Sequence, residues 1–331
     1  MPQETLNVFK MAVDRGYRYV IQSVGSGAAA ALLDAVNKHN ERNPGKEIIY
    51  LNYAATDPVL TNEKCSFWHF RFEADSSMKV ESMTAAIKDD PKVKRVFLVN
   101  QNYAHGQQIS RFAKEMLARK RPDIQIVGDE LHPLMQVKDF SPVIAKIKAS
   151  GADTVLTGNW GNDLALQIKA AKDAGLDVAF YTMYASQIGT PTVLGASGEG
   201  RVKLFYSGHS NVPELRPVLD DYKAWFKEDY SVFTIDYMIR MLLAAAVKAK
   251  TTEPVAVARA LEGLSLKSYG GEISMRAMEH QLQMPLYLAT WRKKGPRDYD
   301  VEGTGFSWAQ DKAYPPYVSS TPTSCQVQRP A

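Results

Sequence analysis

A glycine-rich turn between a buried strand and a helix is the first place where this sequence can do chemistry. Residues 17–36 read as strand, turn and helix, and residues 25–30 within them fit the pattern G-x-G-x-x-A. Such a turn at a helix N-terminus attracts either the pyrophosphate of a dinucleotide or a carboxylate. A dinucleotide site also needs an acidic residue at the end of the next strand, where this chain has Asn52. We therefore favour a carboxylate cup that includes Ser26 and Gly27, and we retain an enzyme that uses a nucleotide at this turn as a rival interpretation.

The turn after the next strand offers a second set of hydrogen-bond donors. In the segment YAATDP, the backbone amides of Ala54 and Ala55 are followed by the hydroxyl of Thr56. The carboxyl ends of neighbouring parallel strands meet at one edge of a sheet, so we expect this turn and the turn at Ser26 to converge on one anion. The alternative is that Ser26 and Thr56 only cap their helix and their turn.

Further candidate residues follow later predicted strands. They are Tyr103 and His105 in NYAHGQQ, Trp160 in TGNWGND and Tyr184 in YTMYASQ. Aromatic side chains on equivalent turns of one sheet are typical of the wall of a ligand site. The alternative is a packing role for the aromatic residues and, for His105, a hydrogen bond to water at the start of a helix.

Motifs for catalysis and for metal binding are absent from the sequence. None of the 6 histidines belongs to an H-E-x-x-H pattern, and there is neither a G-x-S-x-G elbow nor a P-loop lysine. The sequence therefore indicates a binding protein and not an enzyme, and it calls for no cofactor and no metal.

Predicted strands alternate with helices up to about residue 207, and this alternation positions the candidate residues. From about residue 213 the sequence changes to consecutive helices, and short strands return around Ile273 and Leu286. Alternation of this kind predicts parallel sheets with helices on both faces, so the expected fold class is α/β. With 331 residues the chain is long enough for two lobes, each with its own core.

Charge and hydropathy narrow the possible partners. The net charge is +4, and basic residues are interspersed with acidic ones, which argues against nucleic-acid binding. No apolar run approaches the length of a membrane span, so we expect no membrane insertion.

The chain contains 2 cysteines, Cys65 and Cys325. The second lies in a polar tail that has no core of its own, so a disulfide between the two is favoured over two unrelated buried thiols. A disulfide indicates an oxidising compartment. The first residues nevertheless lack the basic and apolar regions of a secretion signal.

The order of motifs resembles the periplasmic branched-chain amino-acid binding proteins of ABC transporters, the leucine/isoleucine/valine-binding family. The segments that carry the resemblance are YAATDPVLT, VNQNYAHGQQ, DFSPVIAKIKASGADTVLTG with LALQIKAAKDAGL, and GGEISMRAMEHQLQMPLYL. The resemblance implies a type I periplasmic binding fold, in which two Rossmann-like lobes close on a small solute like a Venus flytrap. It also implies a monomer in the periplasm that delivers the solute to ABC transporter permease subunits. A ligand-sensing regulator on the same fold is the alternative.

The resemblance assigns roles to the candidate residues. In the family, the carboxylate of the ligand is held at positions that match Ser26, Ala54 and Thr56. The opposite lobe of the family supplies a tyrosine and a glutamate, and the glutamate pairs with the ammonium of the ligand. Here those positions carry Trp160 and Tyr184.

Without that glutamate, a buried ammonium loses its main counter-charge. Asp236, at the start of a predicted helix, can substitute for it. Otherwise the ligand is a carboxylate without an ammonium, stacked among Tyr103, Trp160 and Tyr184.

The resemblance also predicts how the chain is divided. We expect residues 1–74 and 208–285 in lobe 1, residues 75–207 and 286–310 in lobe 2, and a tail at 311–331 that returns to lobe 1. The family begins with a signal peptide and a strand-helix-strand unit upstream of the position of Met1. We therefore expect the first lobe of this sequence to be truncated at its N-terminus.

Overall fold

The computed structural model describes residues 2–22 and 25–330, in which helices and strands alternate. The helices are α1 (Pro2–Asp14), α2 (Ser26–Arg42), α3 (Ser76–Lys88), α4 (Ala104–Lys120), α5 (Ser141–Ser150), α6 (Gly161–Asp173), α7 (Thr190–Leu194), α8 (Arg216–Phe226), α9 (Phe233–Ala249), α10 (Pro254–Leu261) and α11 (Pro316–Ser319). The strands are β1 (Tyr19–Gln22), β2 (Ile49–Asn52), β3 (His69–Arg71), β4 (Arg95–Gln101), β5 (Gln125–His132), β6 (Thr154–Thr157), β7 (Ala179–Thr182), β8 (Val202–Tyr206), β9 (Ser265–Ser268), β10 (Gly271–Met275), β11 (Leu282–Gln283), β12 (Leu286–Lys293) and β13 (Phe306–Tyr314). The predicted α/β class is confirmed. Within the described residues, no helix is both long and apolar enough to cross a bilayer.

Internal contacts divide the chain into two compact units. Unit 1 comprises Met1–Asp75, Phe233–Met284 and Ser320–Ala331, and unit 2 comprises Ser76–Val232 and Pro285–Ser319. This division differs from the expected one for residues 208–232, which belong to unit 2. The reason is that this segment packs on the end of unit 2: Asn211 Nδ2 donates to the carbonyl of Trp308 at 2.9 Å, and the Arg216 guanidinium lies 5.4 Å from the Tyr299 ring centroid.

The expected tail also begins later than predicted, because β13 continues to Tyr314 and α11 follows it within unit 2. The segment that belongs to unit 1 starts at Ser320. It is held there by the Cys65–Cys325 disulfide and by a hydrogen bond of 3.0 Å from the Thr323 hydroxyl to the carbonyl of Thr61. The predicted pairing of the two cysteines is therefore confirmed.

Unit 1 contains a parallel sheet in the order β1-β2-β3 and a small antiparallel sheet in the order β11-β10-β9. Residues 66–72 have the composition of a strand, but in the structure only His69–Arg71 pairs with β2. Helix α2 buries one face because apolar residues recur on it with helical spacing. The core to which this face contributes consists of Phe9, Ala29, Leu32, Leu33, Val36, Ile48, Tyr50, Ala55 and Leu60.

Unit 2 is built on one sheet in the order β13-β12-β8-β7-β6-β4-β5. Strands β4 to β8 are parallel, whereas β12 runs antiparallel to both β8 and β13. The order reverses at β4, because β5 lies on one side of it and β6 on the other. The connections that leave β4 and β6 therefore diverge, and a crevice at this switch point is the usual ligand site of an open α/β sheet.

Candidate functional site

In unit 1, the turn at Ser26 forms the N-terminus of α2. Gly25 precedes the helix with φ 90° and ψ 107°, a conformation that residues with a Cβ rarely adopt. Its carbonyl accepts the first helical hydrogen bond from the Ala29 amide at 2.9 Å. The amides of Ser26 and Gly27 lie in this first turn, where N–H groups have no partner within the helix.

The alternative in which Ser26 caps α2 is contradicted by the structure. The N-cap position is Gly25, which has no side chain to cap the helix, and Ser26 is the first residue with helical geometry. Its side chain is buried.

The second turn is organised by Asn52, the last residue of β2. Its Oδ1 accepts hydrogen bonds from the amides of Ala54 at 3.1 Å and Ala55 at 2.8 Å, and its Nδ2 donates to the carbonyl of Ala55 at 3.0 Å. The Asn52 side chain is fully buried, as is that of Thr56. The amides predicted to bind a carboxylate therefore already donate to Asn52.

The two turns of unit 1 follow strands whose ends are paired. Gln22 of β1 lies opposite Asn52 of β2 in the parallel ladder, so both chains leave the sheet at the same edge. The turn after β2 is fixed further by Thr234 of α9, whose hydroxyl donates to the carbonyl of Tyr53 at 2.8 Å.

Asp236, the proposed counter-charge for an ammonium, lies two residues after Thr234 in the first turn of α9. Its Oδ2 accepts from Arg240 Nε at 2.7 Å, and its Oδ1 accepts from the Tyr269 hydroxyl at 3.2 Å. The carboxylate therefore already has a cationic partner. This pairing weakens its attraction for a second cation.

Arg71 is a site-supporting residue that the sequence did not reveal. Its side chain is fully buried at the end of β3. It donates to the carbonyl of Asp57 at 2.6 Å, to Gln281 Oε1 at 2.5 Å and to Asp75 Oδ2 at 2.9 Å. Because Asp57 directly follows Thr56 in the segment YAATDP, Arg71 holds that segment near its C-terminal end.

In unit 2, the switch point of the sheet carries Tyr103 after β4 and Trp160 after β6. Both residues have extended backbone conformations immediately before a helix, Tyr103 before α4 and Trp160 before α6. Trp160 Nε1 donates to the Tyr103 hydroxyl at 2.8 Å, so the two side chains are linked across the switch point. Burial raises the pKa of the Tyr103 hydroxyl, which is therefore neutral at ordinary pH.

His105 lies behind these aromatic side chains and is fully buried. Its Nε2 is 3.2 Å from the carbonyl of Gly158, which can only accept, so Nε2 carries the proton. Its Nδ1 then accepts from the Ser76 hydroxyl at 2.7 Å. Burial, and secondarily the charge of Lys79, lowers the pKa of His105 to about 3, which keeps the ring neutral.

Gly158 makes this arrangement possible. A Cβ at this position would lie 3.0 Å from His105 Nε2 and 2.9 Å from Ile109 Cγ1, so the backbone after β6 approaches α4 more closely than any other residue would allow.

Tyr184 follows β7 and contacts a lysine that sequence reasoning missed. Lys79 Nζ donates to the Tyr184 hydroxyl at 2.8 Å and lies 4.3 Å from the centroid of its ring. The Tyr184 ring is also 5.8 Å from the ring of His105 and 6.3 Å from the ring of Tyr206. The predicted residues of unit 2 thus belong to one connected cluster.

The predicted site residues therefore form one set in each unit. Ser26, Gly27, Ala54, Ala55, Thr56 and Asp236 lie in unit 1, and Tyr103, His105, Trp160 and Tyr184 lie in unit 2. Among the residues that the structure describes, no group of three or more His, Cys, Asp or Glu side chains is arranged to hold a metal ion. A groove of about 570 Å³ in unit 1 lies between α1 and β1 and includes none of these residues.

Comparison with known proteins gives concordant results. Residues 1–296 match the periplasmic binding protein family. Leu/Ile/Val-binding protein homolog 4 from Brucella melitensis is 32% identical over 334 residues, which cover 97% of this chain and 79% of that protein. The crystal structure of a leucine-, isoleucine-, valine-, threonine- and alanine-binding protein from Brucella ovis, in a closed conformation, is similar with a TM-score of 0.90 and 30% identity, covering 99% of this chain and 86% of that one.

A more distant structure shares the fold. The solute-binding protein of an ABC transporter from R. palustris, solved in complex with benzoate, has a TM-score of 0.80 at 18% identity and covers 98% of this chain and 86% of that one. The resemblance inferred from the motifs is confirmed by matches that extend over nearly all of the sequence. The chain belongs to the periplasmic binding protein family.

Proposed function

We propose that the protein is the solute-binding component of an ABC uptake transporter and that it binds a small carboxylate-bearing solute. The solute is an amino acid, branched-chain or other, or an aromatic or other organic acid. Binding makes and breaks no covalent bond, so the protein is not an enzyme. It acts in the periplasm as a monomer, and its macromolecular partners are the permease subunits.

The arrangement of unit 1 carries the proposal. The N-terminus of α2 and the turn after β2 leave one edge of the parallel sheet from paired strand ends, Gln22 and Asn52. The positive end of the helix dipole, the amides of the first turn and the side chains of Ser26 and Thr56 are groups of the kind that bind a carboxylate. The amides of Ala54 and Ala55 add little to this support, because they already donate to Asn52.

The aromatic cluster of unit 2 offers surfaces on which a small solute can pack. Tyr103, Trp160 and Tyr184 are partly exposed and provide flat apolar faces, while the hydrogen bond between Trp160 and Tyr103 fixes two of them. Flat rigid faces of this kind are typical of pockets for small ligands.

Titration calorimetry tests the proposal. A thermal-shift screen with amino acids and organic acids first identifies a ligand, because a ligand at one hundred times its dissociation constant adds about 2.7 kcal/mol to stability. Ser26→Ala and Thr56→Ala should then each weaken binding by about tenfold or more, since each removes a hydrogen bond to a charged group. Thr252→Ala, at an exposed position of unit 1, is the matched control and should bind as the parent does. Unchanged affinity in both site variants, or saturable binding of a nicotinamide dinucleotide, would contradict the proposal.

A further inference from the structure

Strand β1 lies at the open edge of the parallel sheet of unit 1. Within the described residues it pairs with β2 and with no other strand. Its side chains are only partly covered, and Ile21 is 51% exposed. Parallel sheets are usually covered on both faces, and an apolar edge strand is a template for pairing with a further strand. The outer edge of β1 is therefore a place where unit 1 can accept another strand.

A groove runs along this edge. It has a volume of about 570 Å³ and lies between α1 and β1, and its lining includes the apolar side chains of Val8, Phe9, Val20 and Ile21. A strand placed beside β1 would bring its own side chains over these groups and remove them from water, which favours docking.

The position of α1 indicates which part of the polypeptide supplies that strand. The parallel neighbours β1 and β2 are joined through α2, and α1 and α2 contribute to one core on the same face of the sheet. Connections between parallel strands are right-handed, so connections with their helices on one face advance across the sheet in one direction. A strand that enters β1 through α1 must therefore lie on the side of β1 opposite to β2, which is the open edge.

A second exposed apolar surface lies on α9. Ile239, Leu243 and Val247 recur at intervals of four residues and are 40%, 61% and 77% exposed, and the buried residues of the helix lie on its other side. We call these three residues the α9 stripe. A helix that is apolar on two faces is normally covered on both. The α9 stripe is therefore the second place on unit 1 where a further element can pack.

The α9 stripe lies on the same side of the sheet as Ile21. Val20 packs on the core of α1 and α2, so its neighbours Tyr19 and Ile21 point to the opposite face. On that face the Tyr19 hydroxyl donates to the carbonyl of Thr252, just after α9, at 2.7 Å. One amphipathic helix on this face can therefore cover both Ile21 and the α9 stripe.

We propose that the outer edge of β1 and the α9 stripe form a docking surface for a segment that precedes α1 in the polypeptide. The segment comprises a strand that pairs parallel to β1 and an amphipathic helix that covers Ile21 and the α9 stripe. A relative has the length that this requires, because the Brucella melitensis match covers 97% of this chain but 79% of that protein. The remainder exceeds the roughly 30 residues of a strand-helix-strand unit.

Hydrogen exchange tests the strand. The 331-residue chain is compared with the product of the reading frame extended upstream of Met1. In the extended protein the amides of residues 18–22 should exchange at least about tenfold more slowly, because pairing protects the amides of an edge strand. Strand β5, which forms an edge of the sheet in unit 2, is the internal control and should exchange equally in both proteins.

Substitutions test the helix. Val247→Lys should lower the melting temperature of the extended protein and leave that of the 331-residue chain nearly unchanged, because the side chain is exposed in the latter. Met278→Lys changes an exposed side chain of unit 1 outside the docking surface, and it should have the same effect in both proteins. If the extended Val247→Lys protein does not fold while the extended parent does, the loss itself supports the proposal, and the exchange comparison provides the independent measurement.

Three results would overturn the proposal. They are a reading frame that does not extend upstream of Met1, equal exchange of residues 18–22 in the two proteins, and equal effects of Val247→Lys in both. A fourth is protection of residues 18–22 when the 331-residue chain dimerises in sedimentation experiments, which would assign the surface to a second copy. No readout involves a solute, so this inference and the proposed function can fail independently.

Discussion

The guanidinium of Arg71 and the carboxylate of Asp75 are 2.9 Å apart, and both side chains are buried. The same guanidinium donates to the carbonyl of Asp57, at the end of the turn that carries Thr56. A buried ion pair of this kind does not by itself make a protein more stable than an apolar core would. It does hold the strand β3 and the turn after β2 in one arrangement.

Removal of the Arg71 charge should be strongly destabilising. In Arg71→Met the buried carboxylate of Asp75 loses its cation, and we expect unfolding free energy to fall by about 3–5 kcal/mol in denaturant titrations. Lys64→Met removes the exposed pair of Lys64 with Asp34 and should change stability by about 1 kcal/mol or less. Equal effects of the two substitutions would show that the buried pair has no special role.

Asn52 should be required for the order of the turn after β2. In Asn52→Ala the amides of Ala54 and Ala55 lose their acceptor, so hydrogen exchange at these two amides should accelerate and stability should fall by about 2–3 kcal/mol. Solute affinity should fall as well, because Thr56 follows the loosened backbone. Asn7→Ala, in the exposed part of α1, is the control. Undiminished protection of both amides in Asn52→Ala would refute the assignment.

The disulfide should stabilise unit 1 through its tail. It joins residues 260 positions apart, and a cross-link that closes so long a loop restricts the unfolded chain by up to about 5 kcal/mol. The double variant Cys65→Ser, Cys325→Ser should therefore melt at a lower temperature than the parent, and a reducing agent should lower the melting temperature of the parent alone. Identical melting of parent and variant under oxidising conditions would contradict this expectation.

Stability should decrease in mild acid because of buried neutral histidines. The pKa of His105 is lowered by burial to about 3, whereas an unfolded histidine titrates near ~6.5, so the unfolded chain binds more protons between these values. The stability contributed by the neutral ring is present above pH ~6.5 and is lost progressively as pH falls toward about 3. His105→Gln should flatten this part of the pH profile in calorimetric melts. It should not abolish the slope, because burial also lowers the pKa of His69 and His209. A profile identical to that of the parent would be inconsistent with a neutral His105.

The α/β class and the cysteine pairing could be predicted because they depend on patterns that repeat or on residues that are rare. Alternating apolar segments specify a parallel sheet irrespective of detail, and two cysteines in 331 residues allow one intramolecular pairing. The supporting residues of the site could not be predicted in the same way. Asn52, Arg71 and Lys79 are polar residues of common types, and a buried lysine looks the same in sequence as an exposed one.

The local errors have similar physical causes. Ser26 fits the pattern of a helix cap, but the positive φ of Gly25 starts the helix at the serine itself. Residues 66–72 have the composition of a strand, yet only the three residues that pair with β2 form one. In both cases the outcome depends on the neighbouring backbone, which is not encoded in the local composition.

The strand order of the sheet in unit 2 has a consequence for how the chain is made. Strands β12 and β13 come from residues 286–314, after residues 233–284 have passed into unit 1. A ribosome must therefore synthesise most of the chain before β12 and β13 can join the sheet of unit 2. The disulfide of unit 1 can form only later, after Cys325 has been synthesised. Each unit therefore needs residues that follow 284 in the sequence. A nascent chain that stops before residue 286 contains neither unit in full.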